Sequence, residues 1–597
     1  MRNLLILQFL LFIFYAPFAR AQKSDLSNPE TFLQDLQNLF DKTNNQQAIV
    51  AANEFSQIWN EGGIQEGHKT QIIKISQKMM KKNFKVAPHL ENFITALSQA
   101  VRKQNIPSDK INQLLSVTDA VLDNYENNDA YNYFQAIKEF FTHNTLYFSS
   151  YNKLYAVGGD YDFEYIRVVE ESSPDIEPEP ENKGDGFFND WDNDTDSDWG
   201  SSWDKETPTS QESNNLLGEL IKVEQPNVSG AVINFKGTNL IFKTNYDSTG
   251  VRNTSGNFIF KNNLFVGNKG RFNWEIAGLG TDSVYCDLEE YNFQVNKVYL
   301  SAENAKLFYF GKIDKPVEGV FEFQSQKHNG PHDAKFPRFK SYQNDINVKN
   351  LAKPNLKYKG GFSLAGKEIY SSSVLEGIAT IEVQEKGVKK FQAKSDRFNL
   401  KDSIITAQRS TIVIYQNKDS IFHPAVKFKY NSDIEFLTLT KDDGGFKNTP
   451  FYASYYKMDI FSEMLKWDLN SDSLDISILN AKNQLPAVFE SQEYFNELRF
   501  NNLTGLYNFH PLQMVFGYSK KIKSEEFYSA DMARELKQNP ATIKGAMIFL
   551  MQNGFIDYEP KLDLVKVNRK GTHYVMSRAE RKDFDNLSIP SISASKP

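Results

Sequence analysis

Residues 170–212 most constrain what this chain can fold into. Fifteen Asp and Glu stand there against Lys183 and Lys205 alone, with Pro174, Pro178, Pro180 and Pro208 among them. Charges of one sign at this density repel, and the stretch holds too few aliphatic side chains to bury a core, so it predicts a disordered acidic linker. The 597-residue chain is thereby divided before any motif is sought. Its formal charge divides too: the whole chain stands at −7, but the linker alone holds −13. The remaining +6, about +4 once Arg2 and Arg20 are set aside, belongs to slightly basic modules, and partner arguments from charge apply module by module.

The first 21 residues read as a secretory signal peptide. Arg2 supplies the positive start, Leu4 to Phe18 form an apolar run broken by Gln8, and Ala19-Arg20-Ala21 gives a small-x-small cleavage pattern. Cleavage after Ala21 would leave Gln22 first, with no cysteine there to carry a lipid anchor. No later stretch reaches the roughly 20 apolar residues of a membrane helix. A single cysteine, Cys286, rules out an intramolecular disulfide framework.

Between 22 and 160 the apolar spacing is helical. Asn28-Pro29 pairs a cap with a first-turn proline, and Phe32, Leu36, Leu39 and Phe40 fall on one face. Stripes such as Ile72, Ile75, Met79 and Leu90, Phe93, Ile94, Leu97 follow, with helix starts about every 20 residues, the scale of paired-helix repeats. A helical-repeat domain and a plain bundle both fit.

From 216 to 510 the pattern is that of strands, short apolar and aromatic runs between Asn, Gly, Asp and Ser turns. Gly-led runs recur (Gly256-Asn-Phe-Ile-Phe260, Gly319-Val-Phe-Glu-Phe323), as does Asp-Ser-aliphatic at Asp282, Asp402, Asp419 and Asp472. Repeated units that cannot each bury a face predict an elongated antiparallel β-repeat or jellyroll-like region. The stretch Ala393 to Ala407, continuing through Val413-Ile-Tyr415 to His423-Pro-Ala-Val-Lys-Phe-Lys-Tyr430, resembles the OstA-like lipopolysaccharide-transport β-repeats. That resemblance implies a jellyroll with an apolar trough for lipid, in a large exported envelope protein.

Residues 520–586 form a last module. Ser529 is placed to cap a helix bearing Met532, Ala533 and Leu536, Asn539-Pro540 turns, and Ala541 to Gln552 makes a second helix ended by Asn553-Gly554. Phe555–Tyr558 and Leu564–Val567 would pair as a wing, so the module resembles a winged helix-turn-helix. The resemblance implies DNA binding through the second helix, but Lys544 is the only cation there, and groove binding draws on several phosphate contacts. A structural or protein-contact role is expected, with no nucleic acid. Residues 587–597 read as a flexible tail opening an inter-domain linker, as if a longer protein continued beyond them.

Catalytic and metal patterns stop short. Gly361-Phe-Ser-Leu-Ala-Gly-Lys-Glu368 follows a phosphate loop until Glu368 replaces the Ser or Thr that would hold magnesium, so a strand-turn-strand is expected. Asp192, Asp194 and Asp196 alternate like calcium ligands without the glycine and final glutamate of a calcium loop. His328 and His332 flank Gly330-Pro331, which forbids the helix that would align them, and no further ligand is nominated. No cofactor is implied. The composite reading is a multidomain α plus β protein, exported to periplasm, outer membrane or cell surface. It is a non-catalytic scaffold or binding protein for envelope proteins or a lipid or glycan ligand. A glycan-binding or glycan-processing protein is the alternative, and carboxylates facing each other across a cleft would mark it.

Overall fold

The computed structural model describes residues 26, 28–167, 225–349, 351, 355–375, 377–401, 403–441, 449–477, 487–560 and 562–591. Ala21 and Gln22, the acidic linker with Asp192, Asp194 and Asp196, and residues 592–597 lie outside the described residues. Helices come first, antiparallel strands fill the middle, and helices return at the C-terminal end. The described residues divide into two compact units, one of 26–167, 225–271 and 290–299, the other of 272–289 and 300–591.

In the first unit, α1 (Phe32–Asp41), α2 (Gln46–Asn60), α3 (Glu66–Lys81), α4 (Glu91–Arg102), α5 (Ser108–Asn124) and α6 (Asn127–His143) stack as pairs. Helix α4 lies against both α2 and α6, while α3 packs on α5. Polar contacts repeat the period: Arg102 donates to Gln57, Asn92 to Gln135 and Lys78 to Asp119, across 41 to 45 positions of sequence. The apolar stripes are the core, with Phe32, Leu36, Phe40, Phe93 and Phe134 all fully buried. The helical span expected over 22–160 ends at His143, because Asn144 turns left-handed (φ 56°) and Thr145 begins a strand.

That unit continues with β1 (Thr145–Phe148), β2 (Asn152–Val157), β3 (Asp160–Ile166), β4 (Gly230–Thr244), β5 (Ser248–Ile259), β6 (Leu264–Asn268) and β7 (Glu290–Gln294). The first half of β4 pairs with β3 and its second half with β2, while β5 pairs with both halves. The strand changes neighbours at Gly237, whose φ of +66° is a left-handed conformation suited to glycine. Helix and sheet are tied at Asp162, which accepts from Lys110 (2.6 Å), Lys236 (2.9 Å) and Gln113 (3.1 Å). Those bonds, Lys110 first, hold its carboxyl well below the usual carboxylate range. Beside them the Ala231 N–H donates to the Tyr125 hydroxyl (2.8 Å), so close that a Cβ on Gly230 would overlap that oxygen.

The second unit's sheets are built from β8 (Val317–Gln324), β9 (Arg338–Ser341), β10 (Leu356–Lys359), β11 (Ser363–Ala365), β12 (Glu368–Tyr370), β13 (Ala379–Glu385), β14 (Val388–Ser395) and β15 (Asn399–Leu400). They continue with β16 (Ile404–Gln416), β17 (Asp419–Asn431), β18 (Phe436–Thr440), β19 (Phe451–Ala453), β20 (Met458–Phe461), β21 (Met464–Asp468), β22 (Leu474–Ser477) and β23 (Val488–Ser491). The 13-residue strands β16 and β17 form a hairpin that belongs to two half-sheets. One end pairs with β15 and β18, the other with β14 and β19, and the register shifts around Ser410 between them. Alternation turns the apolar residues of both halves inward, where Phe391 meets Tyr430 edge-to-face (5.2 Å) and Phe428 at a tilt (6.0 Å), each no more than 2% exposed.

The Asp-Ser-aliphatic units work as turn-to-strand entries: Val284, Ile404 and Leu474 are each the first residue of a strand. The Gly-led runs are different. Gly256 and Gly319 lie inside strands, where a Cβ would come within 2.3 Å of Val266 O and 2.2 Å of Lys340 O respectively. Close approach of neighbouring backbones, not strand initiation, requires glycine at both positions.

The C-terminal elements are α7 (Glu497–Asn502), α8 (Pro511–Ile522), β24 (Glu526–Tyr528), α9 (Ser529–Glu535), α10 (Pro540–Gln552), β25 (Ile556–Glu559), β26 (Leu564–Val567), α11 (Arg569–Arg578) and β27 (Ser588–Pro590). Strands β24, β26 and β25 form a small antiparallel sheet beneath Leu512, Met532, Ile543, Met547, Leu550 and Tyr574. Asn539 caps α10 by accepting from Ala541 N (2.8 Å). Ser529 does not cap α9. Asp563, from the β25–β26 turn, accepts from Ala530 N (2.8 Å) and from the Ser529 hydroxyl instead. Ser588–Pro590, expected in a flexible tail, pairs with β23 through Val488, Phe489 and Glu490. No helix among the described residues is long and apolar enough to cross a membrane.

Candidate functional site

Strand register assembles a row of outward side chains in the second unit. Phe422 of β17 lies opposite Tyr452 of β19, Tyr452 opposite Asp459 of β20, and Asp459 opposite Glu490 of β23. Directly opposed residues share a face, so these four side chains run across four strands on the side away from the apolar core. An outward carboxylate is ordinarily solvated, yet Asp459 and Glu490 are only 8% and 5% exposed. The C-terminal module covers them.

Each carboxylate is met by a cation. Lys570, in the first turn of α11, reaches Asp459 at 2.5 Å, and the Arg499 guanidinium grips Glu490 through two bonds of 2.6 and 2.8 Å. Burial opposes the charge on Arg499, but Glu490 outweighs it and raises the guanidinium further. Lys570 also lies over the Phe461 and Phe555 rings at 5.4 and 5.5 Å. Behind it Lys441 is 7% exposed, and burial first, then the Lys570 charge, brings its amine down to about 8. Arg569 donates to Gln492 (2.6 Å) and pairs with Glu493.

Between this row and the module a cleft of about 390 Å³ remains. Phe422, Tyr452, Asp459 and Glu490 line one wall, and Asp557, Tyr558, Arg569 and Lys570 line the other. Asp557 is accessible to solvent yet walled in, and desolvation raises its carboxyl against a hydrogen bond from Asn568. A second, more polar compartment of about 740 Å³ shares Pro424, Met551 and Tyr558 with the first. Lys394, Arg397 and Arg409 line it, with the Arg397 guanidinium stacked 4.3 Å from the Tyr370 ring centre.

Both compartments lie at the bend of the β16–β17 hairpin. Pro424 has no N–H for the ladder, and the His423 ring bonds locally on both sides: Nδ1 accepts from Ala425 N (3.0 Å) and Nε2 faces Thr449 O (3.1 Å). Complete burial pushes His423 down to about 3, so its imidazole is neutral, with the proton on Nε2 toward that carbonyl.

The residues singled out from sequence do not join this cleft. His328 and His332 lie in the loop between β8 and β9, His328 beside Gly330 O (3.1 Å) and His332 exposed. Their neighbour Asp333 accepts from Asn329 N (3.1 Å) and Gly330 N (3.0 Å), which makes the cluster a hydrogen-bonded turn. Among the described residues no group of three or more His, Cys, Asp or Glu side chains could hold a metal ion. The phosphate-loop-like stretch is the β11–β12 hairpin, and Cys286 is fully buried in the strand Val284–Leu288. Asp459, Glu490, Arg499, Asp557 and Lys570 carry no signature in the sequence, because no local motif joins positions 459 to 570. The one available signal was an acidic residue in each of two short apolar runs, Met-Asp-Ile-Phe and Val-Phe-Glu-Ser.

Helices followed by a bent-hairpin β-region and C-terminal helices with a small sheet, bearing a charged aromatic cleft, define the class of a multidomain protein with a built concave site. No family model, curated protein or solved structure matches the chain.

Proposed function

We propose that this chain is an exported, non-catalytic binding protein of a bacterial envelope or surface, and that the cleft under its C-terminal module receives the ligand. The observation that carries the reading is the cleft volume beside two ion pairs whose carboxylates are buried. Interiors pack closely, and burying charge costs stability unless the geometry is good, so a cavity kept at that place points to an occupant.

The order of strands and helices after α8 supports a winged helix used for protein contact. Helix α10, which would enter a nucleic-acid groove, has Tyr507 beside it: the Tyr507 and Phe549 rings are 6.2 Å apart, and a Cβ on Gly545 would come 3.4 Å from the Tyr507 hydroxyl. Nucleic acid is therefore not proposed as a partner. An OstA-like lipid path would need the inward apolar face open, whereas the buried Phe391 ring there packs against both Phe428 and Tyr430. Support thus falls on the cleft as the ligand surface.

Purification of the full chain from its native envelope, with mass spectrometry of co-purifying lipids, glycans and proteins, tests the reading. Gln492→Trp, which puts an indole into the cleft, is expected to lose an enriched species that the native chain retains. Identical profiles from the two proteins would sink the assignment.

A further inference from the structure

We infer that the occupant of the cleft is an oligosaccharide, long enough to lie in both compartments. The inference rests on the binding reading above and adds the ligand's chemistry. A sugar ring presents apolar C–H faces and a rim of hydroxyls, so its site needs flat aromatic surfaces beside paired donors and acceptors. Phe422 and Tyr452, half-buried side by side on one wall, supply the surfaces. Beside them the Asp459–Lys570 pair and the Arg569–Gln492 bond each hold a donor next to an acceptor. A carboxylate has about four lone-pair sites and an ammonium three donors, so an ion pair still has capacity for neighbouring hydroxyls.

Charge and geometry argue against other ligands. In the first compartment Asp459, Glu490 and Asp557 face Arg569 and Lys570, a near-balance that offers little to an anionic headgroup. An acyl chain there would leave these charges against hydrocarbon, which costs far more than it gains. An extended peptide binds most readily along a free sheet edge, but this wall is crossed by strands already paired on both sides: β19 with β17 and β20, and β20 with β19 and β23. A neutral polyol meets none of these objections.

Length follows from the shared wall. Pro424, Met551 and Tyr558 belong to both compartments, and the second adds the Tyr370–Arg397 stack as a further flat surface. A single ring would occupy one compartment, and a chain of sugars would use both. Carboxylates do stand on two walls, Asp557 opposite Asp459 and Glu490, but the latter two are locked in ion pairs. The arrangement suits holding a glycan better than cleaving it.

Titration calorimetry of the full mature chain tests the inference. The probes are the tetrasaccharides of chitin, xylan, starch and mannan, their monosaccharides, dodecanoate, and vesicles of phosphatidylglycerol. The expected result is that at least one tetrasaccharide binds tenfold or more tightly than its monosaccharide. Tyr452→Ala should weaken it at least tenfold and Tyr452→Phe much less, while Tyr455→Ala, at an exposed residue outside the cleft, should leave it unchanged. Thermal melts of each variant separate lost binding from lost folding. Silence from every saccharide, while Gln492→Trp still strips a co-purifying species, would overturn the glycan and leave the binding cleft standing. Binding of dodecanoate or vesicles that Tyr452→Ala abolishes would overturn it as well. Silence from the saccharides together with unchanged co-purification would end both proposals.

Discussion

Two long bent hairpins, β4–β5 in one unit and β16–β17 in the other, solve the same problem with different outcomes. Each carries a strand through two half-sheets, and each loses ladder pairing where it bends. In β4–β5 the bend is made by left-handed backbone at Gly237 (φ 66°) and Asn253 (φ 51°) and closed by side chains. Thr254 donates to Lys269 O (2.7 Å) and lies 2.6 Å from the Tyr291 hydroxyl, with Tyr291 only 1% exposed. In β16–β17 a proline replaces the glycine, a buried neutral histidine takes up backbone groups, and the outer side of the bend opens on the cleft. The same strand geometry thus makes a sealed core in one place and a site in the other, according to what fills the bend.

Aromatic truncation should separate the two most strongly. Tyr291→Ala empties a sealed position and is expected to cost about 3–5 kcal/mol in urea unfolding. Phe422→Ala, at a half-buried ring of the cleft, should cost no more than about 1.5 kcal/mol while impairing ligand capture. Equal losses of stability would mean that the second bend is core as well.

Acid should find the second bend and not the first. The folded value of His423 lies below its unfolded value, so the unfolded chain takes up the proton first. The contribution of neutral His423 is therefore complete above about pH 6.5 and is lost as pH falls toward 3. Wild type should lose up to about 1.4 kcal/mol per pH unit relative to His423→Gln across that window. Parallel urea midpoints for the two proteins between pH 7 and 4 would contradict the neutral assignment.

The smallest contrast concerns the bends' own backbone. Gly237→Ala has room for its methyl group but must hold φ near +66°, at about 1–2 kcal/mol. Ser410→Ala removes a hydroxyl that donates to Lys394 O (3.1 Å), for about 1 kcal/mol. Thermal unfolding of the two variants, with Gly237→Ala the less stable, would place the strain in the first hairpin.

Much of this was readable in the residues. The Phe32–Leu36–Phe40 spacing specified a helix face, and Asp-Ser-aliphatic turns marked strand entries, because both depend on neighbours within one turn. Gly256 and Gly319 lead apolar runs in the sequence yet lie inside strands, and the backbone that excludes a Cβ there belongs to other strands. The four-residue spacing of His328 and His332 belongs to a local turn held by Asp333.

The sequence by itself determined that a helical region precedes a strand-rich one and which apolar side chains share a helix face. Period and alternation are local properties. Only the tertiary structure decided that Phe422, Tyr452, Asp459 and Glu490 stand in one row, because register is settled between strands far apart in the chain. It alone buried the two carboxylates, by bringing Lys570 across 111 positions to Asp459 and laying α11 over them. An exposed acidic residue and a buried ion pair beside a cleft look identical in one strand of sequence. They differ in what a distant segment places against them.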